Sequence, residues 1–285
     1  MVHPKFPRLS RLLLPILMLP IVWEARLLPF QLTSNPSDPV TMAWDAVRAA
    51  GSYHFTSDVT QVTLPTATLS NVGRASRTEK IYLEGQNDLR AQQMEMTLWT
   101  DGGSALNAAS GINIRSEGGK TLARRAGGEW QEIDDVTGSI APQGDFLSYL
   151  AAIKDVQAQP AERRNGIDFT RYTFTIDSPR FAEYMHQQME TALRARGELP
   201  PNVELGISAY FLDMVGSGEL WVDKEGLPLR QTLTLQFPAQ NDEQVHTQIV
   251  VDFSKFSSAG TNTATQSEIK PTSLFAYFTS IPRTG

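Results

Sequence analysis

The sequence predicts an α+β fold with one large curved antiparallel sheet and helices packed on one face. Three observations carry this. Segments rich in aromatic and β-branched residues recur from Ser52 to Phe253, broken by turns containing Gly, Asn and Asp. Several of these segments alternate apolar and polar residues, so each has one buried and one polar face. Only a few stretches carry apolar residues at the three- and four-residue spacing of amphipathic helices.

The N-terminus carries Lys5, Arg8 and Arg11, with no acid before Glu24. Leu12 to Trp23 is uninterrupted and apolar. A basic region followed by a short apolar one is the pattern of an export signal. The apolar run falls short of the ~20 residues of a standard membrane-spanning helix, and Pro15 and Pro20 weaken a continuous helix. Residues 1–30 are therefore expected to be an export signal or a membrane anchor, with cleavage left open, and residues 31–39 a Pro-containing linker. The chain is then placed outside the cytoplasm, exported, and held at the cytoplasmic membrane if this segment is the anchor.

A helix should open the main domain, 40–256. Asp38 or Ser37 suits its cap, Pro39 its first turn and Gly51 its end. Val40, Ala43, Trp44 and Val47 form its apolar stripe. Strands follow at Ser52 to Leu64, Thr78 to Leu83 and Ala91 to Trp99, where Met94, Met96 and Leu98 share one face. Gly111 to Glu132 reads as two tight hairpins, turning at Glu117-Gly118-Gly119 and Gly127-Gly128, with Glu129 to Ile133 completing the meander. A helix is expected over Asp145 to Lys154, with Phe146, Leu147, Leu150 and Ile153 on one stripe. Ile167 to Ile176 is a strand. A second long helix is expected over Ser178 to Arg196, with Ser178 as cap and Phe181, Met185, Met189 and Leu193 every fourth residue. Gly218 to Val222, Leu227 to Phe237 and Glu243 to Phe253 complete the sheet. In the second of these, Leu229, Leu233, Leu235 and Phe237 share a parity. Residues 257–285 form a Ser/Thr-rich tail.

Composition excludes several functions. The formal charge is −6, so a general basic footprint for nucleic acid is missing. No cysteine is present, which removes disulfides, thiolate chemistry and an acylated lipoprotein cysteine. No catalytic constellation is legible, and the chain is read as a binding protein rather than an enzyme, with no metal and no cofactor. His186 has Glu190 four residues on but lacks the second histidine of a zinc helix. Gly216-Ser217-Gly218 lacks the spacing of a nucleophile elbow. Asp134-Asp135 reads as a solvated turn. Gly102-Gly103 and Gly127-Gly128 lack the lysine of a phosphate loop. Arg124-Arg125 and Arg163-Arg164 read as solvated charges, with contact to anionic lipid head groups the alternative.

Two stretches carry a resemblance. Gly118, Gly119, Lys120, Leu122, Arg124 and Trp130 match one signature, and Trp221, Val222, Asp223, Gly226, Leu227, Pro228 and Arg230 another. Together they resemble the lipoprotein-carrier superfamily of LolA-type carriers and LppX/LprG-type lipid carriers, over about residues 40 to 256. The resemblance implies an open half-barrel with helices covering the concave face and an apolar cavity for acyl chains between them. Pattern alone reads as a solid core. With the resemblance, Met94, Met96, Leu98, Phe146, Leu150, Phe181, Met185, Met189, Leu233 and Leu235 become candidate ligand contacts. The expected partners are a lipid or acylated ligand, the membrane through the N-terminal apolar segment, and an envelope protein. The alternative is an envelope sensor or protein-interaction domain of the same fold without a cavity.

Overall fold

The computed structural model describes residues 38–100, 111–117, 120–125, 127–133, 145–195 and 197–257. The N-terminal basic and apolar segment, the tail from 258 onward, Gly102-Gly103, Gly118-Gly119 and Asp134-Asp135 lie outside them. The chain opens with α1 (Pro39–Ala50). The Asp38 side chain accepts from the Val40 N–H, and Gly51 closes the helix at φ +87°, a conformation that favours glycine.

Twelve antiparallel strands form one sheet. They are β1 (Ser52–Pro65), β2 (Arg77–Asp88), β3 (Gln93–Thr100), β4 (Ile112–Glu117), β5 (Lys120–Arg125), β6 (Gln131–Ile133), β7 (Ile153–Ala158), β8 (Glu162–Arg164), β9 (Ile167–Ile176), β10 (Val215–Asp223), β11 (Pro228–Gln236) and β12 (Glu243–Ser257). The order is β6-β5-β4-β3-β2-β1-β12-β11-β10-β9-β7, with β8 on β9. The first strand therefore pairs with the last, and the two edges, β6 and β7, do not pair. The sheet is an open half-barrel, not a closed one.

The edge strands β6 and β7 follow one another in sequence, so the chain between them must cross from one edge to the other. The described part of that connection, residues 145–152, lies on the concave side, where Phe146 packs 4.5 Å from Phe55 of the central strand β1. This geometry corrects the helix expected over Asp145 to Lys154. The segment is a 3-10 turn, Ser148–Ala152, followed at once by β7. Its apolar spacing reflects burial under a bridging segment rather than an α-helical stripe.

The second long helix, α2 (Ser178–Ala195), forms as expected, but its cap is one residue earlier. Asp177 accepts from the Arg180 N–H, while the Ser178 hydroxyl donates to the Met214 carbonyl. A short helix, α3 (Ala209–Leu212), was not anticipated. Its Tyr210 stacks on Phe237, with centroids 4.5 Å apart, and Phe211 meets Phe181 of α2 edge-on. Helices and 3-10 turn thus cover the concave face and share one hydrophobic core with it.

The recognisable sequence signatures lie elsewhere. Trp221 stacks on Phe169 at 4.7 Å on the convex face, with the guanidinium groups of Arg164 and Arg230 over its ring. Arg230 makes a two-pronged bond to Asp252 at 2.6 and 2.7 Å. Asp223 accepts from the Leu227 N–H at 2.8 Å and fixes the turn at Gly226. Arg124 lies over Trp130 at 4.4 Å. These residues hold strands and turns together, and Arg124 and Trp130 also line an outer groove.

Candidate functional site

The concave face is organised in cross-strand rows. Because side chains alternate, residues paired across strands point the same way. One row runs Leu83, Ser57, Val251, Gln231 and Leu220 over five strands. The next runs Ile81, Val59, Ile249, Leu233 and Gly218, and the third Glu79, Gln61, Thr247, Leu235 and Gly216. Gly218 leaves room for Phe174, since a methyl group there would stand 2.6 Å from its ring.

Between these rows and the lid is a cavity of about 130 Å³. Its floor is Leu83, Ser57 and Gln231 of the first row, Ile81, Val59, Ile249 and Leu233 of the second, and Glu79, Gln61, Thr247 and Leu235 of the third. Its roof is Phe146, Ser148 and Tyr149 of the bridging segment, Phe181, Tyr184 and Met185 of α2, and Phe211 of α3. Phe146 of the roof also packs on Phe55 of β1. The middle row stays partly exposed at Ile81, Val59 and Ile249, so the space communicates with solvent there. Two outer grooves of about 280 and 330 Å³ are larger, but they are walled mainly by Glu, Gln, Asn, Arg and other polar side chains.

The roof is fastened by polar contacts. Trp44 of α1 donates to Asp145 at 2.6 Å, and the Leu147 N–H donates to its other oxygen at 2.8 Å. Ser148 and Tyr184 share a hydroxyl bond of 2.6 Å. Burial pushes the Asp145 carboxyl above the usual carboxylate range, against those two hydrogen bonds and the Arg48 charge. Burial also raises the Tyr149 and Tyr184 phenols, so both stay protonated at neutral pH.

Five of the ten sequence candidates meet at this cavity: Phe146, Phe181, Met185, Leu233 and Leu235. Met94, Met96 and Leu98 lie buried on β3, with Leu150 buried in the 3-10 turn, all outside that lining. Met189 is half-buried against the core. Sequence reasoning missed the polar floor: Ser57, Gln61, Gln231 and Thr247 all line the cavity. The signal was present as polar residues at the core parity of three strands. Gln231, for example, interrupts the face shared by Leu229, Leu233 and Leu235.

The other sequence features take structural roles. His186 Nε2 lies 2.8 Å from the Leu205 carbonyl, and Glu190 accepts from the Leu205 N–H. Ser217 sits inside β10. Arg163 and Arg164 pair with Asp168 and Glu162. Among the described residues no helix is long and apolar enough to cross a membrane.

No family model matches the chain, and no curated protein does. Among solved structures it is similar to the lipoprotein LppX of Mycobacterium tuberculosis, with TM-score 0.40 and 15% identity, covering 77% of this chain and 93% of that one. It is similar to LprF from Mycobacterium bovis, with TM-score 0.35 and 10% identity over 78% and 94% of the two chains. A DUF1329 family protein from Desulfovibrio piger gives TM-score 0.27 and 11% identity over 79% and 95%.

Proposed function

We propose that this chain is an exported, membrane-tethered binding protein that carries or senses a lipid or lipidated ligand through an acyl segment. The observation that carries this is the cavity between sheet and lid, with Val59, Ile81, Ile249 and Leu233 on its floor and Phe146, Phe181 and Met185 above. Burying an acyl segment there contributes about 25 cal/mol per Å² of apolar surface. No covalent chemistry is needed.

The volume sets the scale of the closed state. About 130 Å³ is close to cavities of ~150 Å³ that take up one benzene and below the ~300–1,000 Å³ of drug-sized sites. A short acyl segment fits as the cavity stands. A longer chain requires the lid to shift, and Met185, unbranched and on the roof, is suited to repacking. In this proposal residues 1–30 export or anchor the protein, 31–39 tether it, 40–256 bind, and 257–285 trail behind.

The small volume also favours a second reading, in which the domain is an envelope sensor or protein-interaction module and the cavity stays closed. One experiment separates the two. The full chain is expressed in a bacterial host, transferred to an amphipathic polymer and extracted with organic solvent, and the extract is analysed by mass spectrometry. Acyl lipid at close to one equivalent, absent from a parallel preparation of the Ile249→Phe variant, is the expected result. Protein that yields no lipid and displaces no N-phenyl-1-naphthylamine overturns the binding proposal.

A further inference from the structure

Four residues that line the cavity each bury a polar atom with no hydrogen-bond partner among the described residues: Ser57 Oγ, Gln231 Oε1, Thr247 Oγ1 and Tyr149 OH. Their residues are 2%, 3%, 2% and 7% exposed, respectively. Such groups are costly to bury unpaired, and they are uncommon in folded proteins. Finding four on one small cavity, where purely apolar residues would pack as well, needs a cause.

Their placement is ordered. Ser57 and Gln231 flank Val251 in one cross-strand row. Thr247 is four residues along β12 from Val251, about 13 Å at the usual strand rise. The row between them is apolar. The floor is thus banded polar, apolar, polar. Hydroxyl groups both donate and accept, but an amide oxygen only accepts. Gln231 Oε1 therefore calls for a donor.

We infer that the ligand is not a plain hydrocarbon chain but one carrying a hydroxyl or amide N–H within its apolar length, read by Gln231 and Ser57 at one depth, with Thr247 serving a second polar group. This rests on the proposed lipid binding and adds what kind of lipid it is. A plain chain would bury the same area but leave all four polar atoms unpaired.

The test compares stearic acid with 12-hydroxystearic acid as competitors for N-phenyl-1-naphthylamine on the full chain in amphipathic polymer. The hydroxylated chain should bind roughly three- to tenfold tighter, one net hydrogen bond's effect. In Gln231→Leu that ratio should fall to near one, and Ser57→Ala should reduce it. Gln248→Leu, an exposed position on the convex side of β12, should keep it. The thermal midpoint of Gln231→Leu should match or exceed wild type, because an unpaired buried amide is removed. A marked fall would mean that Gln231 has a partner within the protein, and would overturn the inference. Equal affinity for the two acids would mean that water serves these groups, and would overturn the inference while leaving lipid binding intact. Displacement by neither acid would remove both. A preference untouched by both cavity variants would place recognition elsewhere and also overturn it.

Discussion

Asp145 is a single carboxyl that joins α1 to the bridging segment and also faces the cavity. Burial raises its proton affinity in the folded protein, so the folded state holds a proton at pH values where the unfolded state has released it. The stability from the neutral carboxyl is complete below the unfolded value of about 3.9. It is lost as pH rises through the higher folded value. Urea unfolding of wild type and Asp145→Asn at pH 4 and pH 7 reads this directly. The difference, wild type minus variant, should move in favour of wild type at pH 4. Movement the other way would show that the Trp44 and Leu147 hydrogen bonds outweigh burial. The sequence held the residue but not this environment. Asp145 stood at the head of an expected helix, where a carboxylate is normally solvated, and only the crossing of the chain over the sheet buries it.

Among the elements, α2 does more than cover the cavity: its last turns hold the segment leading to α3. Glu190 accepts from the Leu205 N–H at 2.8 Å, and Arg194 reaches the carbonyls of Pro200, Pro201 and Val203. That segment has no regular structure of its own between Gly197 and Ser208, so these side chains substitute for a ladder. Glu190→Ala should weaken protection of the Leu205 amide by about 1–3 kcal/mol in native-state hydrogen exchange, with the central strands β1 and β12 unchanged. Unchanged exchange at Leu205 would show that the strap is held by packing alone. Elements with strong periodicity, such as α1, α2 and β12, were legible because a single face is buried along their whole length. The 3-10 turn and α3 were not. Four or five buried residues in a bridging segment carry the same apolar spacing as a short helix, and only tertiary context separates them.

For the whole molecule, parity gave the buried face of each strand, but not that β1 pairs with both β2 and β12. That closure links residues about 200 apart in sequence, such as Phe55 and Phe253, and nothing local encodes it. Five of the ten candidate contacts lie outside the cavity lining, and strand order accounts for the three on β3. Met94, Met96 and Leu98 face inward as expected, yet strand order puts them away from α2 and Phe211, so they fill core while the central strands floor the cavity. The remaining question is whether this space is used, and linkage answers it. A ligand bound only by the folded state at 100 times its Kd adds about 2.7 kcal/mol, or about 5–11 °C in the thermal midpoint of a domain this size. Wild-type protein with saturating long-chain fatty acid should show that rise. Ile249→Phe places a ring in the partly exposed middle row, so its midpoint without ligand should equal or exceed wild type, while the rise with ligand should disappear. A variant that keeps the full rise would bind its ligand outside the cavity. A wild type with no rise would leave the sheet and its lid as a packed scaffold whose interactions lie on the outer surface.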